Sequence, residues 1–133
     1  MNAKVDYSHR DILAARTLHN EIRKVLKAHE RGERNNAMLP DIKVLCSCIL
    51  QTIRDPYCQE KMCEVEIHAD ELFAVGKRSR WGRGSTETQS SSIFLRRLIF
   101  KSLEAFEDRL TFLEKERESA RAFGAKAEIR ASL

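Results

Sequence analysis

The sequence predicts an all-α protein, a four-helix bundle with a long C-terminal helix that overhangs the bundle. Three observations carry that prediction. Glycine and proline are scarce, five and two in 133 residues. The stretches 41–75 and 85–123 contain no glycine and only one proline, Pro56, and breaker-free runs of that length favour helices over strands and turns. The third observation is a doubled apolar pattern over 93–118. Leu95, Ile99, Leu103, Phe106, Leu110 and Leu113 recur at steps of three and four and fall on one narrow helical face. Phe94, Leu98, Ala105 and Phe112 form a second stripe, roughly 90–120° further round at about 100° per residue. A helix on the outside of a monomer needs only one stripe, so this one is either central or shared with a second chain.

Helix one is expected over about 8–31. Ser8 is placed to cap it, with Asp11 three residues later as a near capping box. Ala15, Leu18, Ile22, Val25 and Leu26 make its apolar face, with Arg16, Arg23, Lys24 and Lys27 on the other side, and Gly32 stops it. Helix two, about 40–54, begins with Pro40 in its first turn. Ile42, Leu45, Cys46, Cys48, Ile49, Leu50 and Ile53 cover more than half of it. Asp55-Pro56 is a cap followed by proline at the first helical position, so helix three, about 56–75, begins there. It turns Cys58, Met62, Val65, Ala69, Leu72 and Phe73 inward, and Gly76 is expected to close it. A basic, then hydroxyl-rich loop is expected over 76–90. Helix four follows over about 91–123, Gly124 is expected to allow a bend, and the tail over 124–133 either adds a short helix or frays. The whole chain, 1–133, reads as a single helical domain.

Composition narrows the function classes. With 42% hydrophobic and 33% charged residues the chain is too apolar overall for a disordered one. No apolar run approaches the roughly 20 residues that cross a bilayer, so no membrane partner is expected. The first residues hold no apolar stretch of a secretory signal, so the expected compartment is the cytoplasm, with all four cysteines reduced. Net charge is +4, but unevenly spread. Residues 77–101 carry Lys77, Arg78, Arg80, Arg83, Arg96, Arg97 and Lys101 against Glu87 alone, while 55–71 carry six acidic residues against Lys61 alone. Such segregation suits partners of opposite sign.

Candidate chemistry is thin. Cys46, Cys48, Cys58 and Cys63 are expected within helices, the first pair separated by roughly 200° and the second by roughly 140°. They therefore read as small core residues, not a zinc site, with Cys63 off the main apolar face. Glu64, His68 and Glu71 share one face of helix three, but bundle metal sites also need Glu-x-x-His from two helices, and no such pair occurs. His19 and His29 read as satisfied buried or boundary histidines. No glycine-rich phosphate loop or nucleophile elbow is present. No catalytic residue, metal or cofactor is expected.

Arg23 and His29, with five residues between them, resemble the Arg-x4–6-His motif of HEPN-family helical proteins. In that family paired arginine and histidine from two protomers cleave RNA. The resemblance covers two residues, and Lys24 stands where the family commonly has a smaller polar one. It would imply an RNA-cleaving role for Arg23 and His29. No family signature covers the whole chain.

The loop is the best binding candidate. Lys77, Arg78, Arg80 and Arg83 flank Trp81, the sole tryptophan; cations can contact phosphates while an indole stacks on a base, and Trp and Arg also anchor protein interfaces. The sequence therefore points to a non-enzymatic interaction module, an adaptor or regulator. It is expected to be a homodimer that binds a protein through Lys77, Arg78, Arg80, Trp81 and Arg83. Phe94, Leu98, Ala105 and Phe112 would form the subunit or partner contact. The rival is a nucleic-acid-binding module that adds Arg96, Arg97 and Lys101 to the loop as a phosphate-contacting surface.

Overall fold

The computed structural model describes residues 8–78 and 86–132, with the side chains of 8–75 and 91–120. Four helices occupy them: α1 (His9–Glu30), α2 (Met38–Thr52), α3 (Pro56–Arg78) and α4 (Thr86–Ser132), with no strand among the described residues. They pack in a ring, α1 on α2, α2 on α3, α3 on α4 and α4 back on α1; the diagonal pairs stay apart. The α3–α4 contact is the most extensive and α1–α4 the least. No helix of the described residues is long and apolar enough to cross a membrane.

The core follows from one spacing rule applied four times. Ile12, Ala15, His19, Ile22, Leu26 and His29 are the buried residues of α1; Met38, Ile42, Cys46 and Ile49 those of α2, with Ile53 just after it. Cys58, Met62, Val65, Ala69 and Leu72 line α3, and Leu95, Ile99, Leu103, Phe106, Leu110 and Leu113 line α4. Steps of three and four keep one seam of each helix turned toward its neighbours, the packing of near-antiparallel bundles.

The helix ends explain the connections. Ser8 Oγ accepts from the Asp11 amide at 3.1 Å and Asp11 Oδ2 accepts from the Ser8 amide at 3.1 Å, the reciprocal box expected for α1. At the other end Gly32 adopts φ +98°, which L side chains rarely enter. Its amide donates to the His29 carbonyl and the Glu33 amide to the Ala28 carbonyl, closing a Schellman motif. Helix α2 begins at Met38 instead of Pro40, because the Asn35 side chain and carbonyl receive the Ala37 and Met38 amides. Pro40 sits within the first turn, where a missing N–H costs nothing. Asp55 caps α3, its Oδ2 accepting from the Cys58 amide at 3.2 Å.

Two glycines depart from expectation. Gly76 does not close α3, which runs to Arg78, and Gly124 lies inside α4; a glycine within a helix costs only about 1 kcal/mol against alanine. α4 also begins at Thr86 instead of about 91 and continues to Ser132 instead of 123. The hydroxyl-rich segment before Ile93 has Glu87 and Gln89 and no breaker, so it joins the helix. At 47 residues α4 is about twice the length of α1 or α3.

Candidate interaction surface

The two stripes of α4 part company in the fold. Every residue of the first is buried, whereas Phe94 is 61% and Phe112 46% exposed, with Leu98 and Ala105 half-buried between them. This second stripe runs along the outer side of the α3–α4 contact. Where the two helices meet, Ser102 Oγ donates to Glu64 Oε1 at 3.3 Å, and within α3 Lys61 Nζ donates to the same carboxylate at 3.1 Å. Lys61 also lies 5.2 Å from the Tyr57 ring centroid.

One end of the surface is built around Arg109. Its Nε and Nη2 each donate at 2.9 Å to the carboxylate of Asp55, a planar two-bond pairing that fixes the guanidinium. The guanidinium stacks 4.8 Å from the Phe112 ring and 5.8 Å from Tyr57, geometry that favours a cation over a π face. Asp55 is itself buried. Burial pushes its carboxyl up, but the Arg109 hydrogen bonds and the Cys58 amide outweigh that and leave it below the usual range. Tyr57, Ala105, Asp108, Arg109 and Phe112 line a shallow hollow here, and Asp70, Glu71, Val75, Ser91 and Phe94 line a second at the opposite end.

Phe94, Leu98, Ala105 and Phe112, read from the sequence as one stripe, lie along one side of α4, and Tyr57, Arg109 and Asp108, which the sequence did not single out, lie beside its C-terminal end. Asp55 was legible only as a helix cap; its partner is 54 positions away, with no local signal to join them. Arg80, Trp81 and Arg83 lie outside the described residues, as do the side chains of Lys77 and Arg78. Arg96, Arg97 and Lys101 differ in exposure. Arg97 and Lys101 are exposed, whereas Arg96 is half-buried and donates from Nη2 to His29 Nδ1 at 3.3 Å.

His19 and His29 belong to the bundle interior. His29 is 3% exposed and lies 4.6 Å from the Phe73 ring. Burial, with Arg34 and Arg96 nearby, pushes its pKa down to about 4, so it is neutral at pH 7 and its Nδ1 accepts from Arg96. His19, 1% exposed, packs on Phe106 at 5.7 Å, and its Nε2–H donates to the Leu103 carbonyl at 3.0 Å. Arg23 Nε approaches the same nitrogen at 3.4 Å. One nitrogen cannot both donate and accept there, and the shorter carbonyl contact decides the tautomer. Burial and the charge of Arg23 lower the His19 pKa. Arg23 and His29 thus have separate partners, and His29 offers no open face.

His68 Nδ1–H donates to the Glu64 carbonyl at 2.8 Å, and no group of three metal-binding side chains gathers among the described residues. Cys46 and Cys58 are buried, and burial pushes both thiols up to about 12; Cys63 is exposed. The outer α3–α4 face is apolar along α4 and charged along its rims. No protein family, curated protein or solved structure matches this chain.

Proposed function

We propose that the chain is a non-enzymatic helical interaction module, an adaptor or regulator, that binds protein through the outer face of α3 and α4. The observation that carries this is the pair of exposed phenylalanines, Phe94 and Phe112, on a second stripe of α4 with Leu98 and Ala105 half-buried between them. Large apolar side chains held open in a row are a mark of protein contact. The Asp55–Arg109 pair supports the reading, because it fixes Phe112 and Tyr57 without filling the hollow beside them. The sequence between Arg78 and Thr86, which carries Arg80, Trp81 and Arg83, connects the same two helices and holds residue types common at protein hot spots.

The test uses the full chain and its Phe94→Ser/Phe112→Ser variant as paired baits in host extract. A protein held by the natural chain, lost with the variant and retained as salt rises supports the reading. A protein held equally by both overturns it. Bound nucleic acid released steeply by salt, with no such protein, replaces it with the phosphate-contacting rival.

A further inference from the structure

The open face of α4 has a self-complementary order. Phe94, Leu98, Lys101, Ala105, Asp108 and Phe112 follow one another at steps of four, three, four, three and four, the spacing of a coiled-coil seam. They lie within roughly 80° of arc over about 27 Å of helix. Read in the reverse direction about position 103, the seam superposes phenylalanine on phenylalanine. The charges in and beside the seam invert: Arg97 and Lys101 precede that position, Glu104 and Asp108 follow it. All four are exposed, and none forms an ion pair with another described residue. By contrast, Arg109 and Glu114, on sides of α4 that face its own neighbours, are bonded to Asp55 and Arg16.

We propose that a second copy of this chain occupies the surface, its α4 packed antiparallel on this one about a two-fold axis at the level of position 103. The proposal rests on the interaction reading above and adds the identity and register of the occupant. In that arrangement Arg97 of one copy lies level with Asp108 of the other, and Lys101 with Glu104, each within about one residue rise. A parallel pair would set Arg97 and Lys101 against themselves, and Glu104 and Asp108 likewise, which costs stability. Phe94 of each copy reaches the hollow beside Tyr57, Arg109 and Phe112 of the other. The interface is isologous and closes at two chains.

Sedimentation equilibrium of the full chain tests this. The expected mass is twice 15.4 kDa, and Phe94→Ser/Phe112→Ser falls to the single mass with its helical circular dichroism unchanged. Arg97→Glu/Lys101→Glu and Glu104→Lys/Asp108→Lys keep both phenylalanines; each is expected to sediment as a single chain alone and to regain the double mass when mixed. In a Cys63→Ser background, Leu98→Cys chains should form disulfides with Asp108→Cys chains under mild oxidation. If each instead cross-links only to itself, the antiparallel register is overturned. A natural chain of single mass that binds an apolar dye, with the dye lost in Phe94→Ser/Phe112→Ser, leaves the surface reading standing and removes the second copy. Single mass with no dye difference between the two removes both.

Discussion

On one side of α4 run Leu95, Ile99, Leu103, Phe106, Leu110 and Leu113, and on another Phe94, Leu98, Ala105 and Phe112, both legible as stripes in the sequence; only the first set is closed over by the rest of the chain. The difference lies in the ring. Each helix has two neighbours and none across the diagonal, so it buries the arc between those neighbours and little beyond. The apolar arc of α4 is wider than two neighbours cover. Periodicity thus reports that a face is apolar, and the number of helices around it decides whether the face is filled at home.

The contrast breaks first at its phenylalanines. Phe106→Ala should cost about 3–5 kcal/mol of unfolding free energy, while Phe112→Ala in the single-mass state should cost under about 1 kcal/mol. Urea unfolding of both measures this, and equal losses would erase the distinction. Arg109→Ala leaves Asp55 buried without its partner and should cost about 2–4 kcal/mol. The pair's pH dependence has a definite sign. Asp55 is held below its usual pKa, so it stabilises the fold above about pH 4 and loses that contribution as pH falls through the lowered value. The Arg109→Ala variant should be flatter over that acid range.

His29 tests the inner stripes in the same way. Its pKa is about 4 in the folded chain against about 6.5 in an unfolded one. The unfolded chain therefore binds the extra proton first, and stability is full above about pH 6.5 and falls toward pH 4, by roughly 2–3 kcal/mol. His29→Gln should lose most of that slope in urea midpoints taken at several pH values. The smallest effect concerns thiols. An Ellman reagent should modify Cys63 first and Cys48 more slowly, leaving Cys46 and Cys58 untouched until the chain unfolds. Fast labelling of Cys46 or Cys58 would mean that the inner seam is not closed.

What the sequence made legible was local or periodic. Ser8 with Asp11, Gly32, and Asp55 before Pro56 mark helix ends because the groups they satisfy lie within a few positions. The four inner seams could be read from spacing alone. Gly76, Gly124 and the hydroxyl-rich run before Ile93 were misleading because weak breakers yield to the packing and length of the helices around them. Arg23 and His29 could be read as a pair on spacing, but six positions set them about 120° apart on α1. His29 turns into the core while Arg23 reaches the Phe100 ring at 5.7 Å. The join between Asp55 and Arg109 crosses helices and left no trace in either neighbourhood.

The thin α1–α4 contact has a consequence for how the ring comes apart. That edge depends on polar ties more than on bulk: the His19 nitrogen on the Leu103 carbonyl, Arg96 on His29, and Arg16 on Thr111 and Glu114. One of the three, Arg96 on His29, needs an uncharged imidazole, because a proton on Nδ1 would take the accepting lone pair, so acid weakens the closing edge while the α2–α3 and α3–α4 edges hold no such bond among the described residues. Amide exchange in acidic buffer should therefore begin along α1, as though a door swung there and left its frame standing.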